Sequence, residues 1–255
     1  LDNLKLAFPE KSTSELKKIR KKFYRHMCDM FLEMIKSISI TEEEMVKRFQ
    51  LENPEEYQRL KNLNKNLIIM CGHYASYEWM TALQLQGVEH QAYGVYKKIK
   101  NPHFDKMARE IRGRYDGVLI PTSKAPKFIA KNEEKDQFSA YAMISDQSPK
   151  RFTRAHWAKF LGIRVPVFMG SELLAREHDI AVVYLKVDKI KRGHYKASLI
   201  PISETPQQEE PFYITRKFID LLENQIREKP ELYLWTHKRW KHMNREISKD
   251  SVIID

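Results

Sequence analysis

Cysteine is scarce: Cys28 and Cys71 are the only two in 255 residues. Two cysteines cannot build a disulfide framework, and these two match no zinc-ligand spacing, so a reducing compartment is the default expectation. Long apolar runs are missing as well. The longest are short, such as LIIMC at 67–71, well under the ~18 apolar residues expected of a spanning helix. The opening LDNLKLAFPEKS has no basic stretch followed by an apolar one, which excludes a secretory signal at this position. It also lacks an initiator Met, and the expectation is that an N-terminal piece of the protein precedes Leu1. No internal repeat, low-complexity tract or Gly-rich linker occurs, so residues 1–255 are read as one domain.

What is present suits a folded chain. Apolar residues make up 42% and charged residues 31%, enough for a core and too balanced for disorder. The net charge is +11. Basic residues gather at KKIK (97–100), RGR (112–114), KRFTR (150–154) and HKRWKHMNR (237–245). Such a surface attracts nucleic acid, anionic lipid or an acidic protein, unless it is simply a solvated face. No reading helix, zinc finger or aromatic sheet motif supports a nucleic-acid module.

Residues 1–65 read as a helical N-terminal extension. Ser12-Thr-Ser-Glu15 and Thr41-Glu-Glu-Glu44 are capping boxes, and Asn53-Pro54 sets a cap before a first-turn proline. Leu16, Ile19, Phe23, Met27, Met30 and Met34 recur at helical spacing and are read as core. From residue 66 short apolar runs alternate with helical stretches. Strands are expected at 66–72, 91–96, 117–120, 138–145, 180–187 and 195–202. Helices are expected at 77–87, 102–112, 123–131, 170–178 and 214–228. This alternation predicts an α/β fold with a mainly parallel central sheet flanked by helices.

The informative stretch is NLIIMCGHYASYEW (66–79). A buried strand ends at Gly72, His73 follows, and a helix starts soon after. Ligands of open α/β sheets sit beyond the carboxyl ends of strands, where His73 falls. Glu78 lies five residues on, about 140° round a continuous helix. Across a strand-to-helix turn, however, its carboxylate can reach back. A neutral His can take a proton from a hydroxyl while a carboxylate fixes its tautomer, and the positive end of a helix keeps the imidazole neutral. From spacing alone the other reading is a capping His beside a solvated Glu. Cys71, inside an apolar strand, is a poor candidate nucleophile.

GHYASYEW resembles the G-H-x-x-x-x-[D/E]-W segment of the bacterial lipid A biosynthesis late acyltransferases, relatives of the glycerolipid acyltransferases. Further segments follow the family's order: NLKLAFPEKS (3–12), VYKKIKNP (95–102), IRGRYDG (111–117), ISDQ (144–147), FLGIRVPVFMGSELLA (160–175) and LYLWTHKRWK (232–241). The resemblance spans essentially the whole chain. It implies a glycerolipid acyltransferase-like fold and a catalytic pair of His73 and Glu78. Lys97, Asn101, Arg112, Arg114, Asp146, Gln147, Gly170, Ser171, Arg239 and Trp240 are implied to contact substrate, with a structural role open for each. It also implies an acyl carrier protein as donor, an anionic lipid A precursor as acceptor, no cofactor and no metal. The implied location is the cytoplasmic face of the inner membrane, with a membrane helix preceding residues 3–12. Lys97 stands where the family commonly has Arg, so no bidentate contact is implied there. Ser76-Tyr77 replaces a common Asn-Trp pair, which leaves the acceptor open to an aminoacyl lipid or a lysophospholipid. Trp79, Met80, Trp157, Phe160 and Phe168 are either core or the lining of an acyl channel.

Overall fold

The computed structural model describes residues 1–135, 137–149 and 155–254. The basic cluster at 150–154 therefore lies outside the described residues. In chain order the elements are α1 (Asp2–Ala7), α2 (Thr13–Lys36), α3 (Glu42–Arg48), β1 (Phe49–Leu51), α4 (Pro54–Lys61) and β2 (Leu67–Cys71). After a 3₁₀ segment (Tyr77–Gln86) come β3 (Gln91–Tyr96), α5 (Pro102–Arg112), β4 (Val118–Pro121), α6 (Ala125–Glu133) and β5 (Ser139–Ile144). The chain continues through β6 (Trp157–Phe160), β7 (Ile163–Pro166), α7 (Gly170–His178), β8 (Ala181–Lys191), β9 (His194–Ser203), α8 (Tyr213–Glu228) and β10 (Ile253–Ile254).

Seven strands form the main sheet in the order β1-β9-β8-β2-β5-β3-β4, and only the β8–β9 hairpin is antiparallel. The α/β expectation thus holds. Every residue of β2 is buried, as befits a central strand covered on both faces. It pairs with β5 on one side and β8 on the other. In the β2–β5 register Leu67 faces Ala140 and Cys71 faces Ile144. Two residues further along each strand stand His73 and Asp146, so this register delivers them to one place. A Cβ on Gly72 would come within 2.6 Å of Leu222 of α8, so glycine lets the helix close over the strand end.

The extension is not purely helical. β1 lies inside it and adds an edge to the sheet beside β9. Three residues are too few to leave a periodic signal. Asn53 also differs from expectation. Its side chain does not cap α4. It receives the Leu199 N–H (3.0 Å) and donates to the Leu199 carbonyl (2.8 Å), extending the pairing of the β9 edge. Ser12 and Glu15 form the full capping box, whereas Thr41 caps α3 but Glu44 turns to Arg48. The chain at 77–87 winds as a 3₁₀ segment and ends, as read, on Gly87 with φ +78°. A second, small sheet, β10-β6-β7, was not expected.

Helix α2 docks on the main sheet through buried polar contacts as well as Leu16 and Phe23. Glu33 accepts hydrogen bonds from Tyr195 (2.7 Å) and Ser76 (3.0 Å), and Ser37 accepts one from the Trp79 indole (2.8 Å). His26 accepts at Nδ1 from Lys189 (3.2 Å). Burial and the Lys189 ammonium push the His26 pKa down to about 4. Between that value and the unfolded one near 6.5, the unfolded chain binds a proton that the folded chain refuses. His26 thus contributes stability that is complete above the unfolded value and is lost as pH falls toward the folded one. In urea unfolding the stability lost between pH 7 and pH 5 should be smaller in His26→Gln than in the parent by about 2 kcal/mol; an equal loss in the two would clear His26 of it.

Candidate active site

His73 leaves β2 through a tight turn. Tyr74 N–H bonds back to the Gly72 carbonyl (2.8 Å), and Ala75 adopts φ +50°, a left-handed conformation rare for alanine. The turn is held from the far end of the chain. Leu234 N–H donates to the His73 carbonyl (3.0 Å) and Ala75 N–H to the Leu232 carbonyl (3.0 Å). This pairing fixes the backbone on both sides of the imidazole.

The ring is fixed too. His73 Nδ1 lies 2.6 Å from Asp146 Oδ1, and Asp146 is buried. Burial pushes the Asp146 carboxyl up, but the facing imidazole and hydrogen bonds outweigh it and hold its pKa below the ordinary carboxylate value. Tyr233, fully enclosed, hydrogen-bonds the same carboxylate and has its phenol pushed well up by burial. A carboxylate at Nδ1 selects the tautomer with its proton there and leaves Nε2 as a base. Gln147 Nε2 sits 3.2 Å from that nitrogen, and Tyr77 meets the ring edge-on at 4.9 Å.

Glu78 has another partner. Arg112 grips it with both arms of its guanidinium, Nε to Oε2 at 2.8 Å and Nη2 to Oε1 at 2.6 Å. The expectation that Glu78 holds the His73 ring is therefore corrected: the 3₁₀ course after Ser76 sends its carboxylate to α5, and Asp146 fills the position at Nδ1. The expected anion contact of Arg112 changes with it, since its fork is already matched to a carboxylate. Arg114 donates to the Ser37 and Ile40 carbonyls, both at 2.5 Å, and so ties off the end of α2. That contact is structural.

The remaining expected residues divide. Arg239 is buried near Asp146, bonded to the Pro166 carbonyl (3.0 Å) and lying 5.2 Å from the Phe160 ring centroid, and burial lowers its pKa. A cavity beside Asp146 is lined by Arg239 together with Val167, Phe168, Phe218 and Leu222. Ser171 turns inward to Met143 (3.2 Å) and Ser145 (3.3 Å), and Gly170 opens α7 at the surface. Asn101 spends its side-chain oxygen capping α5, and Lys97 is exposed beyond β3. Trp240 stacks against Trp235 and Phe160 and belongs to the core, as do Trp79 and Trp157, while Phe160 is buried and also lines the cavity beside Asp146. Cys71 is enclosed, and burial pushes its thiol far up, away from nucleophilic use.

His237 was passed over in the sequence, although it lies within LYLWTHKRWK two residues before the chosen Arg239. Its Nε2 accepts from Ser148 N–H (3.3 Å), two residues past Asp146. Burial holds its pKa down to about 4, with Lys241 and Arg239 opposing the pull of Asp146. A neutral ring accepting at Nε2 carries its proton on Nδ1. Among the described residues no group of three or more His, Cys, Asp or Glu side chains could hold a metal.

The assembly has an imidazole whose Nε2 faces the Gln147 amide, a buried carboxylate behind it, and a small cavity of mixed lining alongside. Such a group can deprotonate a hydroxyl. Residues 1–242 match the profile of a family described as bacterial lipid A biosynthesis acyltransferase. Two curated proteins are each 22% identical over 257 residues, covering 99% of this chain and 80% of theirs. They are the lipid A biosynthesis palmitoleoyltransferase of Escherichia coli K12 and the lipid A biosynthesis acyltransferase of Shigella flexneri.

A double-mutant cycle tests the ion pair. Glu78→Gln and Arg112→Leu should couple by about 1–3 kcal/mol in unfolding experiments, as a half-buried bidentate pair does. Additive effects would mean that the pair contributes nothing. Arg114→Lys should lower stability by about 1 kcal/mol and leave KM unchanged; a raised KM would return Arg114 to the substrate.

Proposed function

We propose, from the premise that the chain belongs to the bacterial lipid A biosynthesis acyltransferase family, that it moves a fatty acyl chain from an acyl carrier protein thioester to a hydroxyl of a lipid A precursor, with His73 as general base oriented by Asp146. The chain is an acyltransferase, and acyl transfer in lipid A biosynthesis is the work of its family. The observation that carries the mechanism is the 2.6 Å contact between His73 Nδ1 and Asp146, which leaves Nε2 to the Gln147 amide and to a hydroxyl that replaces it.

The acceptor hydroxyl displaces the Gln147 amide from Nε2 and gives its proton to that nitrogen. The alkoxide attacks the thioester carbonyl carbon. Asp146 stabilises the imidazolium that forms, without taking a proton itself. The tetrahedral intermediate collapses, the C–S bond breaks, and the leaving thiolate takes the proton back from His73. The products are an ester and the free carrier thiol. Glu78 acts at one remove, by holding Arg112. The charge of +11 supports a face that receives an acidic carrier and a phosphorylated lipid. The departures at Ser76 and Tyr77 keep a different lipid acceptor as the second reading. The working location is the cytoplasmic face of the inner membrane, held by an apolar helix N-terminal to Leu1; the full reading frame tests this.

His73→Ala should lower kcat by about 10²–10⁴-fold with the fold retained. Asp146→Asn should cost about 10²-fold or more, because it loses the tautomer as well as the charge. Glu78→Gln should cost less than Asp146→Asn. Steady-state kinetics with carrier-linked donors decide this, and the reverse ranking would restore Glu78 as the partner of His73.

A further inference from the structure

Helix α2 has a face that the protein does not cover. At about 100° per residue, the positions 17, 20, 21, 24, 25, 28, 31, 32 and 35 share an arc of about 140°. The opposite face, with Leu16, Phe23 and Glu33, is the one buried against the sheet. Along the open face the chemistry changes with position. Its first half carries Lys17, Arg20, Lys21 and Arg25 around a shallow groove. Its second half carries Phe31, Leu32 and Ile35, which are 57%, 58% and 58% exposed, and Ile38 just beyond the helix is 56% exposed. Four large apolar side chains left together in water are uncommon on a surface that meets only solvent.

We infer that this face of α2 lies on an anionic lipid surface, its basic half at the level of the phosphates and its apolar end within the acyl region. This rests on the proposed lipid acceptor and deepens it. The charge pattern selects the occupant. An acidic carrier protein would satisfy the basic half but gives no reason for Phe31, Leu32, Ile35 and Ile38. A bilayer of anionic lipid satisfies both halves, as in helices that lie in the membrane interface. The fold adds a reason for the placement. The buried side of the same apolar turn is bonded to the segment after His73, through Glu33 with Ser76 and Ser37 with Trp79. Arg114 ties the end of the helix to the loop after α5. Seating Phe31 and Ile35 in lipid therefore seats the His73 turn against the surface from which a lipid acceptor comes.

The chain carries its own reporter position. Cys28 is exposed on this face, whereas Cys71 is buried in β2, so a thiol-reactive, environment-sensitive dye will label Cys28 selectively. Vesicles of phosphatidylglycerol should shift its emission to the blue and float the protein. Phosphatidylcholine vesicles should do so weakly, and salt should reduce the binding. The triple variant Phe31→Ala, Leu32→Ala, Ile35→Ala should bind phosphatidylglycerol vesicles at least about tenfold more weakly, with an unchanged circular dichroism spectrum. Its turnover of acceptor dispersed in detergent should equal that of the parent, because none of the three touches the site. A variant that floats like the parent overturns the inference. So does a dye shift produced by acidic carrier protein and not by vesicles. Absence of turnover in the parent would count against the reaction alone, since flotation decides the surface by itself.

Discussion

The His73–Asp146 hydrogen bond depends on one constraint, the parallel register of β2 against β5. Side chains on neighbouring parallel strands stand about 4.8 Å apart, and the pairing of Cys71 with Ile144 carries forward to the two residues that matter. A slip of one residue would turn Asp146 to the other face of the sheet. The register is itself secured by burial. Leu67, Ile68 and Met70 on one strand, and Ala140, Tyr141 and Met143 on the other, are buried in the core. The geometry of the His73–Asp146 pair thus rests on apolar packing well below it.

Two buried carboxylates near the site show how environment divides the work. Asp146 faces an imidazole and is held ionised against its burial. Glu33 is enclosed with hydroxyl donors from Tyr195 and Ser76, and burial raises its pKa. The first is suited to steadying a positive charge that forms during turnover; the second works as a joint between α2 and the sheet. Glu78 differs from both, since its charge is matched by a guanidinium. Chemical identity alone would not have separated these three residues.

Much of this was legible in the sequence, because the physics that writes it is local. The six main strands and the longer helices announce themselves through apolar period, capping residues and Gly87. His73 at the end of a buried strand was visible for the same reason. What was not visible depends on neighbours distant along the chain. Nothing in residues 66–79 says that β5 lies beside β2, so Glu78, five residues away, took the role that Asp146 fills. Arg114 read as an anion contact because the carbonyls it binds belong to a helix end 74 and 77 residues earlier. Asn53 read as a helix cap because its strand partner, Leu199, is 146 residues on. β1 and β10, of three and two residues, are too short to carry a period. His237 stood inside a noted motif, but only the fold brings it to Ser148.

The turn that presents His73 is stitched to residues 232–234, and this bears on how the protein is made. β2 needs β5 and β8 at its flanks, and the His73 carbonyl waits for the amide of Leu234. During synthesis the amino-terminal part of the chain emerges first and folds before its late partners exist. A growing chain that stops short of Leu234 has His73 and Asp146 but lacks the backbone partners that hold the His73 turn. The His73 turn therefore closes only after residues 232–234 have been made and packed against it.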